Sequence, residues 1–147
     1  MGLNDAQRQE LVDAAVVARQ HAHAPFSGFD VGAAVLTDDG TLFAGCNVEV
    51  SNYSEGCCAE RIAVFKAISA GHRHLVACAV VAKMAKIPCG PCGACRQVLR
   101  DFGPEMEVVL GSPEGEVLAT MPLQELFPMS FGPEHVLASI RARHGGD

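Results

Sequence analysis

No apolar run in this sequence reaches the roughly 18 residues that a membrane-crossing helix requires, so no membrane association is expected. The opening residues, Met1-Gly2-Leu3-Asn4-Asp5, carry neither the basic start nor the apolar stretch of a secretory signal. Ala6 and Gln7 lack the hydroxyl that myristoylation at Gly2 would need. Basic residues are few: 11 Lys and Arg stand against 17 Asp and Glu, for a net charge of −6. A protein that grips a nucleic-acid polymer neutralises several phosphates along a basic stripe. Here the one local cluster is His72-Arg73-His74. A small molecule is therefore the expected partner. Repeats and low-complexity linkers are also missing, so residues 1–147 are expected to form a single domain. None of the six histidines sits in a metal-ligand spacing. The seven cysteines, an odd and clustered set, do not suit a secreted disulfide framework. In a reducing compartment they read as metal ligands plus small buried hydrophobes, and a cytoplasmic protein is expected.

Hydrophobic periodicity outlines the elements. Residues 5–22 carry Leu11, Ala14, Ala15 and Ala18 on one helical face, with Asp5 as the expected N-cap and Pro25 beyond the end. Residues 31–37 and 41–48 read as strands joined at Asp38-Asp39-Gly40, a hairpin signal. A helix follows over 58–70, closed by Gly71, then an apolar strand over 75–82 of the kind covered on both faces. A further helix over 92–102, strands at 107–110 and 117–120 and a last helix over 133–143 complete the order. Such alternation implies an α/β fold: a three-layer α/β/α sandwich around a five-stranded mixed sheet.

Two short runs carry the chemistry. Cys58-Ala59-Glu60-Arg61 and Pro91-Cys92-Gly93-Ala94-Cys95-Arg96 supply three thiolates and one carboxylate that is not a ligand. Structural zinc normally takes four protein ligands, whereas catalytic zinc takes three and leaves a position for water. Both runs fall at expected helix N-termini, whose free N–H groups and partial positive charge lower a thiol's pKa. Three thiolates leave a bound zinc unit formally negative, and Arg61 and Arg96 are the candidates to compensate that charge. Glu60, two residues from Cys58, is the candidate proton shuttle.

These runs resemble the cytidine deaminase family, in its small, homotetrameric, three-cysteine zinc form. The resemblance extends from about Ala24 to His135. Phe26-Ser27-Gly28-Phe29-Asp30-Val31-Gly32-Ala33-Ala34 is similar to the family's opening strand motif, and Asn47-Val48-Glu49 to its second-strand ending. Leu126-Phe127-Pro128-Met129-Ser130-Phe131-Gly132-Pro133 resembles the segment before its last helix. The resemblance implies one Zn2+ per subunit on Cys58, Cys92 and Cys95, with Cys57 and Cys89 as non-ligands. It implies that Phe29 and Ala59 border the base, that Asn47 and Glu49 hold the ribose 3′-hydroxyl, and that Phe131 reaches a neighbouring subunit's site. The implied reaction is hydrolytic deamination of cytidine and 2′-deoxycytidine in pyrimidine salvage. Residues 50–57 depart from the family pattern around Tyr53, which keeps a modified aminopyrimidine nucleoside such as blasticidin S as the alternative substrate. Outside enzymes, a zinc-stabilised binding module would need Cys57 or Cys89 as a fourth ligand. A thiol-redox protein would use Cys89-x-x-Cys92 or Cys92-x-x-Cys95. Neither explains Glu60, Asn47 and Glu49 together.

Overall fold

An amide side chain starts the first element, α1 (Asp5–Arg19), in the computed structural model of the chain. Residues 2–144 are described; Met1 and residues 145–147, the two ends of the expected 1–147 domain, lie outside the described residues. Asn4, not Asp5, is the N-cap. Its Oδ1 accepts from Gln7 N at 2.8 Å and Gln7 Oε1 accepts from Asn4 N at 3.0 Å, a reciprocal capping box. The glutamine three residues on selects Asn4, and Asp5 moves to the first turn, where its charge suits the helix dipole. The helix also stops short of residue 22. The N–H groups of Gln20, His21 and Ala22 bond to the carbonyls of Val17, Ala18 and Arg19, which tightens the end into i→i−3 turns.

Strands β1 (Gly32–Thr37) and β2 (Leu42–Cys46) form the expected antiparallel hairpin, in register from Gly32 opposite Cys46 to Leu36 opposite Leu42. Gly40 has a φ of +87°, a left-handed conformation that favours glycine. Asp39 ties the turn together by accepting from Thr37 Oγ1 at 2.6 Å and Thr41 N at 3.1 Å. Helix α2 (Ala59–Ser69), strand β3 (Leu75–Val81), helix α3 (Gly93–Phe102), and strands β4 (Glu107–Gly111) and β5 (Val117–Pro122) follow. A one-turn α4 (Leu123–Leu126) and α5 (Pro133–His144) end the described chain.

The sheet order is β2-β1-β3-β4-β5, with β3 and β4 parallel and the other neighbours antiparallel. Period-two alternation sends successive side chains to opposite faces. Ala33, Val35, Cys78, Val80, Val108 and Leu110 face α2 and α3, packing against Ala63, Val64, Ala67 and Leu99. Ala34, Leu36, Ala77, Ala79, Val81 and Val109 face α1, packing against Leu11, Val12 and Ala15. This is the three-layer sandwich. Gly32 allows α1 to approach: a Cβ there would lie 1.9 Å from Ala15 O.

One strand boundary shifts, with consequences for the site. β2 ends at Cys46, whereas the pattern predicted continuation to Val48. Asn47 N still donates to Val31 O at 3.1 Å, but the Asn47 carbonyl accepts from His23 N at 3.0 Å. Val31 N is satisfied by the Asn47 side chain instead, at 2.8 Å to Oδ1. A side chain has replaced the backbone acceptor, so the ladder stops there.

Candidate active site

The N-termini of α2 and α3 lie near the carboxyl end of β3, where open α/β sheets commonly place ligands. Cys58 is the N-cap of α2 and Cys92 that of α3, both with extended backbone and neither making a side-chain capping bond. Their sulfurs are thus free to turn toward each other, 3.9 Å apart. Cys95, one turn into α3 and fully buried, completes the cluster. The three Sγ atoms all lie within 4.8 Å of one another. A tetrahedral ion with Zn–S bonds of about 2.3 Å separates its sulfurs by about 3.8 Å. Three thiols at this spacing, spanning two helix N-termini, fit zinc. Cys57 and Cys89 do not join: among the described residues this trio is the only group of three or more His, Cys, Asp or Glu side chains close enough to share an ion. Burial raises the thiol pKa of both Cys57 and Cys89, whereas hydrogen bonds from Cys95, Arg61 and Cys92 hold the Cys58 thiol down.

Arg61, three residues along α2 from Cys58, directs Nη2 to the Cys58 sulfur at 3.4 Å. The sulfur in turn raises the guanidinium pKa. Arg96 goes elsewhere. Its Nε donates to Pro91 O at 2.8 Å and its Nη1 to Leu126 O at 2.6 Å. The geometry therefore brings one of the two candidate arginines to a sulfur and uses the other to tie the Pro91 carbonyl, beside Cys92, to the Leu126 carbonyl at the end of α4.

Glu60 is 4% exposed in the first turn of α2. Burial pushes its carboxyl above the ordinary carboxylate range, a hydrogen bond with Cys95 partly offsets this, and the Cys58 charge adds to it. It opens on a cavity of about 300 Å³ lined also by Phe29, Asn47, Glu49, Cys58, Ala59 and Cys92. Of the eleven residues singled out in the sequence, seven line this cavity. Phe131 does not; it is 59% exposed, its ring stacked on His135 with centroids 5.3 Å apart.

Backbone pairing places Asn47 and Glu49. Val48 N donates to Cys57 O at 2.9 Å, and Glu49 N donates to His23 O at 2.7 Å. With Val48 held in that way, Asn47 and Glu49, two apart, reach the same cavity. Asn47 Nδ2 also donates to Phe29 O at 2.8 Å, which ties Asn47 to the backbone of the aromatic residue in the same cavity. The sequence reading missed Ser27, Val31, Val80, Cys89 and Gly90 as cavity residues. Ser27 and Val31 lie inside the motif that contains Phe29, so their neighbourhood was legible; Val80 read only as a core strand residue.

A three-layer fold that sets three thiols across two helix N-termini, beside a buried glutamate, defines a zinc-dependent hydrolytic deaminase. The family profile described as "Cytidine and deoxycytidylate deaminase zinc-binding region" matches residues 5–112. The chain is 45% identical over 130 residues to a cytidine deaminase of Halalkalibacterium halodurans, covering 86% of this chain and 96% of the relative. It is likewise 45% identical over 129 residues to one of Sporosarcina psychrophila, covering 86% and 92%. The crystal structure of cytidine deaminase from Burkholderia pseudomallei matches with a TM-score of 0.78 at 44% identity, covering 88% of this chain and 100% of that one. The chain belongs to the cytidine and deoxycytidylate deaminase family. No helix among the described residues is long and apolar enough to cross a membrane.

Proposed function

We propose that this protein converts cytidine and 2′-deoxycytidine to uridine and 2′-deoxyuridine with release of ammonia, in the cytoplasm and as part of pyrimidine salvage. The observation that carries the reading is the convergence of Cys58, Cys92 and Cys95 beside a glutamate that is 4% exposed. Those three thiolates hold one zinc per chain. Bound zinc supplies Lewis acidity and lowers the pKa of water, as hydrolysis at C4 of the pyrimidine ring requires. Glu60 moves the protons: it delivers one to ring N3 and carries another to the departing ammonia. Its raised pKa suits both tasks, because burial that disfavours the ionised form makes the carboxyl a better proton acceptor and keeps it able to donate.

Arg61 draws charge from the Cys58 sulfur, and Arg96 contributes through the turn that carries Cys92. Phe29 and Ala59 border the base, while Asn47 and Glu49 receive the sugar. A pocket built to bond a hydroxyl rejects analogues that lack it. Phe131, exposed before α5, enters the cavity of a neighbouring copy in a homotetramer with shared sites. Residues 1–147 act as one domain with no nucleic-acid polymer as partner.

A modified nucleoside such as blasticidin S is not favoured, since the relatives at 45% identity are cytidine deaminases. An ultraviolet assay of deamination tests the reading across cytidine, 2′-deoxycytidine, deoxycytidylate and blasticidin S. Turnover of the two nucleosides well above the others is expected. Preferential turnover of blasticidin S or deoxycytidylate would replace the proposed substrate.

A further inference from the structure

Ser27 links Glu49 to Phe29 within the cavity. Its Oγ donates to Glu49 Oε2 at 2.5 Å and accepts from Phe29 N at 3.1 Å. Glu49 Oε1 accepts from Phe26 N and Ser27 N, both at 3.0 Å. An ionised carboxylate offers about four lone-pair sites, and these three bonds leave one, on Oε2. The Ser27 proton is committed to Glu49, so the serine has none to offer a ligand. Both side chains line the cavity that holds Glu60. The Ser27 hydroxyl and backbone N–H also keep the Glu49 carboxyl below its ordinary pKa, and hence a ready acceptor.

We propose that Ser27 is a positioning residue whose hydroxyl fixes the Glu49 carboxylate and the Phe29 backbone in one unit, leaving Glu49 a single acceptor site for one sugar hydroxyl. Selectivity for an unmodified 3′-hydroxyl then depends on Ser27 although the serine donates nothing to substrate. The proposal rests on the reading of Glu49 as the sugar-binding carboxylate. Replacing Ser27 by alanine frees Oε2, which can rotate or take up water, and leaves Phe29 N without its partner.

The test compares KM and kcat for cytidine and 3′-deoxycytidine in the wild-type protein, Ser27→Ala and Ser27→Thr, with zinc content and Tm measured on each. Loss of one hydrogen bond of ordinary net strength at an exposed site predicts a KM for cytidine about three- to tenfold higher in Ser27→Ala. The KM for 3′-deoxycytidine should move far less, and Ser27→Thr, which keeps the hydroxyl, should restore the wild-type value for cytidine. A merely structural serine would lower Tm and shift both substrates alike, and that result overturns the proposal. So does an unchanged KM for cytidine in Ser27→Ala. Equal kinetics for the two substrates in the wild-type protein would instead remove the sugar-binding reading of Glu49, a failure visible before any variant is made.

Discussion

Replacing Glu60 with glutamine separates proton transfer from everything else this residue does. The side chain keeps its length and shape at a position that is 4% exposed. The amide can still bond within the cavity, but it cannot deliver a proton to ring N3 and then carry another to the leaving amine. A positioned general acid–base contributes about 10²–10⁴ in rate, which is about 3–5 kcal/mol of transition-state stabilisation. If Glu60 serves both transfers, as proposed, the loss in kcat falls at the upper end, about 10⁴, with KM changed little. Burial already disfavours the ionised carboxyl, so a neutral amide should leave Tm unchanged or higher. The assay is steady-state kinetics by ultraviolet absorbance on protein of measured zinc content, with a thermal melt in parallel. A variant with full zinc that retains a tenth or more of wild-type kcat would refute the assignment. Loss of zinc would show that the carboxylate supports the metal rather than the proton.

Cys58→Ala, Cys92→Ala and Cys95→Ala should each deplete zinc, whereas Cys57→Ala and Cys89→Ala should keep one per chain; metal analysis showing loss on replacing Cys89 but not Cys95 would mean the cluster is assigned wrongly. Phe131→Ala should weaken substrate binding more than folding, and mixing it with inactive Glu60→Gln subunits should restore some activity. Demonstrably mixed assemblies with no recovered activity would return Phe131 to a local packing role. Asp39, whose hydrogen bond from Thr37, then those from Thr41, hold its carboxyl down from 3.8 to about 2, contributes stability above its unfolded value that is lost as pH falls through about 2. Asp39→Asn should therefore lower Tm at pH 7 and converge with the wild type near pH 2; an equal Tm difference at both pH values would contradict this.

Wherever chemistry is local, the sequence carried it. Cys58-Ala59-Glu60 and Pro91-Cys92-Gly93-Ala94-Cys95 bring their groups together through the geometry of one helix start each, and Asp38-Asp39-Gly40 sets its own turn. The alternation that splits Ala33 and Val35 from Ala34 and Leu36 follows from strand pleating alone. What needed the tertiary structure depended on groups distant in the chain. The two helix N-termini meet only because the sheet brings them together, and that meeting selects Cys58, Cys92 and Cys95 over Cys57 and Cys89. Arg96 looked equivalent to Arg61 in its motif, yet the Leu126 carbonyl, thirty residues away, captures its guanidinium. The segment through Asn47 reads as a strand continuing to Val48, until His23 takes the Asn47 carbonyl and its side-chain amide serves Val31 and Phe29. Ser27 lies 22 residues from Glu49 and shows no periodic signal. Hydrogen bonds of that range depend on where the fold places each donor and acceptor, and residue identity along the chain does not encode that placement locally.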